Sequence, residues 1–148
     1  MISYFFKDLL QIQGMEAIIV YSKNNIILDS WTISNFNQKI LNDLGLFYQQ
    51  IFTLCKMFSQ PHQEIVLVYD KRKIYGKKYK DLLILIVAKS KVNIAMLRLI
   101  INVGFYELDH SKKFQKILKK IHTSEFNYFD KKYLDNVEQK FLNKLITK

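Results

Sequence analysis

The densest chemistry in this chain is the stretch Lys71-Arg72-Lys73-Ile74-Tyr75-Gly76-Lys77-Lys78-Tyr79-Lys80. Cations at this spacing suit phosphate, and Tyr75 and Tyr79 between them are of a type that stacks on bases. The same pattern also suits a sheet edge, where lysines discourage strand-to-strand aggregation, and this second reading is preferred. Lys71, Arg72, Lys73, Lys77 and Lys78 are therefore candidates for partner or anion binding, together with Lys116, Lys119 and Lys120 further on. Nucleophilic and metal chemistry have less to work with. The single cysteine, Cys55, falls within an apolar helical pattern, where cysteine behaves as a small hydrophobe. His62, His110 and His122 lack the spacing of metal ligands. The glycines Gly14, Gly45, Gly76 and Gly104 are isolated and build no phosphate-cradling loop. The patterns G-x-x-x-x-G-K-[ST], G-x-S-x-G and H-E-x-x-H are all absent. The expectation is a chain that is not an enzyme, with no catalytic residue, cofactor or metal.

The elements that position these side chains must come from 148 residues, enough for one domain and a modest extension. Nearly half of the residues are hydrophobic (49%), so a core is available. A lone cysteine fits a reducing, intracellular compartment. The first residues lack a signal-peptide pattern, and no apolar run reaches the ~18 residues a membrane span needs. A cytoplasmic location is expected. The net charge of +10 is uneven: residues 1–110 carry 13 basic and 9 acidic groups, and residues 111–148 carry 10 lysines and 4 acids.

Ile2, Phe5, Phe6, Leu9, Leu10 and Ile12 fit an amphipathic helix over 2–13, stopped by Gly14. Residues 17–21 and 26–31 read as two strands around the turn Ser22-Lys23-Asn24-Asn25. Residues 35–58 carry the longest helical pattern. Its apolar arc spans roughly 160°, against ~100° for a minimal core stripe; this suggests a second subunit as partner besides the sheet, the other reading being a helix buried more deeply under the C-terminal segment. Pro61 ends that region. Ile65–Tyr69, Ile74–Tyr79 and the wholly apolar Leu82–Ala88 read as strands, the last at the centre of the sheet. A helix over 92–106 is apolar nearly all round and is expected to be largely buried, which makes its Arg98 a poor arginine finger. Beyond residue 110, Phe114, Ile117, Leu118 and Ile121 mark one helix, and Tyr133, Val137, Phe141 and Leu145 another. Helices are interposed only rarely between strands, so the fold class is α+β, with an antiparallel sheet between helices.

This order of elements, with certain local sequences, resembles the Roadblock / dynein light chain family. Four stretches carry the likeness: residues 9–20, the hairpin Asn24-Asn25-Ile26-Ile27-Leu28-Asp29, the helix at 35–58, and Leu83–Val87 followed by Asn93-Ile94-Ala95-Met96-Leu97-Arg98. The family more often places Gly in that hairpin turn. The lysine-rich turn at 71–80 and the two extra helices also depart from its minimal pattern. The resemblance implies a Roadblock/longin-like domain over residues 1–108, with a basic helical extension over 109–148. It further implies a five-stranded antiparallel sheet, the central helix on one face and the first and third helices on the other.

Family members dimerise through the central helix and the following edge strand, here 64–70. The dimer-interface candidates are accordingly Leu41, Tyr48, Phe52, Cys55, Val66 and Val68, with Tyr48 and Phe52 expected to face outward. Members act as subunits of motor and signalling scaffolds, and several bind small Ras-like GTPases. Some bacterial relatives accelerate GTP hydrolysis by reshaping the GTPase's own site. The reading is thus a non-enzymatic homodimeric scaffold or regulator of such a GTPase. Two alternatives stand beside it: a nucleic-acid or anionic-membrane binder using the basic hairpin and tail, and a purely structural subunit of a larger complex. The tail itself has three readings: folded back on the domain, docked on a partner, or laid on a membrane surface.

Overall fold

A computed structural model describes residues 1–33, 36–59 and 63–123. Within these, five strands form one antiparallel sheet in the order β2-β1-β5-β4-β3. They are β1 (Met15–Ser22), β2 (Ile27–Thr32), β3 (Glu64–Val68), β4 (Arg72–Tyr79) and β5 (Leu82–Lys89). Position in the sheet follows composition. β1 and β5 pair with each other along Ala17↔Val87 to Ser22↔Leu82, and their apolar residues are buried on both faces. A run such as Leu82–Ala88 has no polar side to give to water, so it takes the centre. β4 begins at Arg72, within the stretch expected to be turn, because Arg72 and Lys73 pair with Lys89 and Ala88.

The turns are made by local chemistry. Between β1 and β2, the Ser22 hydroxyl oxygen accepts from the backbone N–H groups of Asn24 (3.3 Å) and Ile26 (3.2 Å). Asn25 holds φ 61° there, a conformation Asn tolerates better than most residues. Gly14, at φ 102°, turns the chain into β1 and returns its carbonyl to the Lys89 N–H at 2.9 Å.

The sheet faces carry different helices. On one lies α2 (Gln38–Met57), capped by the Asn37 side chain, which accepts from the Ile40 N–H at 2.8 Å. Leu41, Tyr48 and Phe52 meet Ile19, Tyr21, Leu83 and Leu85 in that layer. On the other face, Phe5, Phe6 and Leu9 join Ile18, Ile84 and Ile86 with Leu97, Ile101 and Phe105 of α3 (Ile94–His110). The Phe6 and Phe105 rings meet edge to face at 5.4 Å.

The single helix expected over 2–13 is instead a short α1 (Ile2–Phe5) followed by a 3-10 turn, Lys7–Gln11. Both geometries bring Phe5, Phe6 and Leu9 to one side, so apolar spacing does not distinguish them. α1 is tied to the sheet by Asp29, a buried carboxylate that accepts from the Ile2 N–H (2.8 Å) and meets the Met1 amino group at 3.1 Å. α4 (Lys112–Thr123) packs back on the core: Leu118 is buried, and the Phe114 ring meets that of Phe5 at 4.8 Å. The reading of a further helix around Tyr133–Leu145, and that of Pro61, fall outside the described residues.

Candidate protein-interaction surface

α2 presents two apolar surfaces, and only one is used by the sheet. Tyr48 is wholly buried, and its hydroxyl donates to the Ile74 carbonyl of β4 at 2.6 Å. Tyr21 of β1 donates to the Leu41 carbonyl. Burial pushes both phenols far above their ordinary pKa, with Tyr69 adding to the effect at Tyr48. Gly45 passes Tyr21 and Asn25 so closely that no Cβ fits. These contacts fix the helix's rotation. Leu41, Tyr48 and Phe52 face the sheet, which corrects the expectation that Tyr48 and Phe52 point outward. The spacing of apolar residues gave the width of the arc but not which part of it meets the sheet. Cys55 is partly buried at the margin of that face.

The outward stripe is Ile40, Phe47, Leu54 and Phe58, with exposures of 45%, 47%, 51% and 75%. The spacing i, i+7, i+14, i+18 keeps them on one flank, with half-buried Ile51 among them. Met57 is exposed at the helix end. The sheet edge offers a further apolar element: β3 pairs only with β4 among the described residues, and Val68 and Tyr69 stand exposed at its end. Val66 is partly buried against the α3-side core.

The basic stretch is dispersed rather than gathered. The Arg72 guanidinium pairs with Glu16 at 2.9 Å. Lys73 Nζ reaches the Val92 carbonyl at 3.5 Å, and Lys77 donates to Asn102. Lys78 lies 5.5 Å over the Phe52 ring on the α2 side, and burial followed by Lys56 holds its pKa down. Lys71 is exposed. Tyr75, expected as a stacking surface for bases, is wholly buried and donates its hydroxyl to Glu64 at 2.5 Å. Tyr79 is stacked on Phe105 at 4.6 Å. Strand alternation sends successive side chains to opposite faces, so this run does not present one surface. In the tail, Lys116 and Lys119 line a cavity beside α3, and Lys120 is exposed.

Arg98 is also placed differently from expectation. Its side chain is about half exposed, and its Nε donates to both Glu64 carboxylate oxygens, at 3.0 and 2.8 Å. α3 has an apolar outer side because Met96, Leu99, Val103 and Tyr106 are exposed, so it is not buried all round. Glu64 escaped sequence reasoning. The available signal was a carboxylate opening an edge strand of otherwise apolar residues, which needs a partner. Among the described residues, no three His, Cys, Asp or Glu side chains group to hold a metal, and no helix is long and apolar enough to cross a membrane. His62 lies outside the described residues.

The chain matches no protein-family model and no curated protein by sequence. Its likeness is three-dimensional. A Roadblock/LC7 domain from Streptomyces avermitilis superposes with a TM-score of 0.61 at 8% identity, over 72% of this chain and 93% of that one. MglB from Myxococcus xanthus gives 0.57 at 14% identity, over 70% and 85%. The gliding protein MglB from Thermus thermophilus gives 0.57 at 13%, over 78% and 87%. The chain therefore has the Roadblock/LC7 fold: a five-stranded antiparallel sheet between helices.

Proposed function

We propose that this chain is a non-enzymatic homodimeric scaffold or regulator that binds a small Ras-like GTPase. The observation that carries the reading is the exposed stripe Ile40, Phe47, Leu54 and Phe58 on the central helix of a Roadblock-fold domain. Large apolar side chains aligned on one flank cost solubility unless a surface covers them, and a second copy of the same helix is self-complementary. The exposed Val68 and Tyr69 at the end of the edge strand extend the area that pairing would bury. No side chain is assigned a catalytic role and no nucleotide site is assigned. The chain would act by binding the GTPase and changing the placement or hydrolysis of its nucleotide. A cytoplasmic location accords with the lone, partly buried Cys55.

The test has two parts. Sedimentation equilibrium at micromolar concentration should give twice the chain mass. Affinity capture from the source organism's lysate, run in parallel with a GTP analogue and with GDP, should retain a Ras-like GTPase preferentially in one arm. A dimer that retains none is a structural subunit. Salt-sensitive recovery of nucleic acid or lipid instead moves the reading to the basic tail and hairpin. The burial of Tyr75 removes one of the two rings that the nucleic-acid alternative relied on.

A further inference from the structure

α3 has an outward apolar side that no element among the described residues covers. Met96, Leu99, Val103 and Tyr106 are exposed at 41%, 64%, 49% and 65%. Their spacing, i, i+3, i+7 and i+10, sets them along one line of the helix. The helix cannot roll to bury them. Arg98 is held by Glu64 of β3, Lys77 of β4 donates to Asn102, and Asp109 accepts from Lys80 and from the Tyr79 hydroxyl. On the core side, a Cβ at Gly104 would lie 2.5 Å from Phe6 Cδ1 and 2.7 Å from the Phe5 carbonyl oxygen. Large apolar side chains fixed toward water in this way mark an interaction surface.

The chain itself carries a complement. Beyond Thr123, Tyr133, Val137, Phe141 and Leu145 recur at intervals of four, with Leu134 and Leu142 beside them, which is the pattern of an amphipathic helix. At about 1.5 Å per residue, such a helix covers about 18 Å from Tyr133 to Leu145, against about 15 Å for the α3 stripe. The reach is sufficient. α4 starts where α3 ends and is about 18 Å long, and residues 124–132 extend to about 30 Å. Glu107, exposed one turn beyond Val103, offers a carboxylate to Lys131, Lys132, Lys140 and Lys144 of the segment. A tethered segment meets this surface at a roughly millimolar effective concentration, which a second copy at micromolar concentration does not match.

We propose that residues 133–145 form a helix that folds back onto α3 and covers Met96, Leu99, Val103 and Tyr106 of the same chain. The inference does not rest on the dimer and GTPase reading, because α3 and the α2 stripe lie on opposite sides of the sheet. The stripe on α3 is then open to another protein only when the segment leaves it.

The test is the accessibility of one thiol in the full chain. Cys55→Ser removes the native thiol, and Val103→Cys places one in the stripe. Its rate of reaction with a maleimide is compared between the native tail and Val137→Glu/Phe141→Glu, which sets two carboxylates on the apolar side of the segment. The thiol should react at least tenfold more slowly with the native tail, and by the same factor at submicromolar and at micromolar concentration. Lys71→Cys, in the β3–β4 turn, should react within twofold of the same rate with either tail. Reciprocally, Phe141→Cys should become at least tenfold more reactive when Leu99→Glu/Val103→Glu charges the stripe, a change confined to exposed positions. Equal rates with the two tails, or an equal change at Val103→Cys and Lys71→Cys, overturn the proposal. Protection that grows with concentration also overturns it, in favour of a second copy as the occupant.

Discussion

The ring of Tyr48 occupies the space above Gly76: a Cβ at position 76 would lie 2.5 Å from Tyr48 Cδ1 and 2.8 Å from Leu85 Cδ2. Here α2 meets β4, and the Tyr48 hydroxyl completes the join at the Ile74 carbonyl, 2.6 Å away. Gly76→Ala forces an overlap between a strand and a wholly buried ring, so it should cost about 1–3 kcal/mol. Tyr48→Phe keeps the ring but removes the donor to that carbonyl, for about 1–2 kcal/mol. Urea midpoints compared at constant slope measure both. An unchanged midpoint in Gly76→Ala would show that the ring can move aside.

The Glu64–Arg98 pair should give stability a specific pH dependence. The hydrogen bond from the Arg98 guanidinium holds the Glu64 carboxyl below its ordinary range; burial opposes this, and the Tyr75 hydroxyl adds to it. A carboxylate with a depressed pKa in the folded state stabilises above the unfolded value of about 4.3 and loses that contribution as pH falls through the folded value. Glu64→Gln cannot titrate. The urea-midpoint difference between wild type and Glu64→Gln should therefore be largest near neutrality and shrink below pH ~4. A difference constant from neutral to acid pH would mean that the clamp is structural but not titrating. Tyr75, whose phenol is pushed up first by burial and then by Glu64, stays protonated throughout this window.

These two relationships show what was legible in the sequence and what was not. The centre of the sheet could be read because Leu82–Ala88 is apolar on both faces, and no other position accepts such a strand. The length of α2 followed from its period. Its rotation did not, because it is set by Gly45 and Gly76, which let Tyr21 and Tyr48 approach from elsewhere in the chain. The burial of Tyr75 was hidden for a similar reason. A strand's alternation defines two faces, and helices cover both; it does not say that Tyr75 is wholly buried in the α3-side core while Lys78 lies half-buried over the Phe52 ring on the α2 side. Arg98 looked buried because Met96, Leu99, Val103 and Tyr106 give α3 an apolar outer side, which periodicity alone reads as core.

Phe114 reports whether α4 belongs to the folded unit. Its ring meets Phe5 edge to face at 4.8 Å and stacks on Tyr4 at 6.3 Å, and Leu118 follows one turn later into the core. Phe114→Ala should lower stability by about 1–3 kcal/mol, less than the ~3–5 kcal/mol of a fully buried phenylalanine because the ring is only partly covered. Phe114→Leu should cost less than half of that. A single cooperative urea transition that shifts in Phe114→Ala is the expected result. A separate early transition, unaffected in its main phase, would mean that α4 docks independently of the core.

The two sides of α2 make opposite predictions for the same chemical change. A glutamate at Phe47 or Leu54 enters the exposed stripe and leaves the sheet contacts intact, so the chain should still fold in a single cooperative transition, its urea midpoint lowered only by the stabilisation that dimerisation had added. If the stripe is the dimer surface, each variant places two like charges across a self-complementary interface, and the mass at micromolar concentration should fall to that of one chain. A glutamate at Tyr48 or Phe52 instead buries an unpaired carboxylate against Ile19, Leu83 and Leu85. Such a charge costs several kcal/mol, so these variants should fail to fold rather than dissociate. Val68→Glu, at the exposed end of β3, should behave like Phe47→Glu if the edge strand takes part, and should leave the dimer intact if the helix alone carries it. A wild-type chain that is monomeric at micromolar concentration would remove the dimer reading altogether, and the exposed stripe would then belong to a different partner.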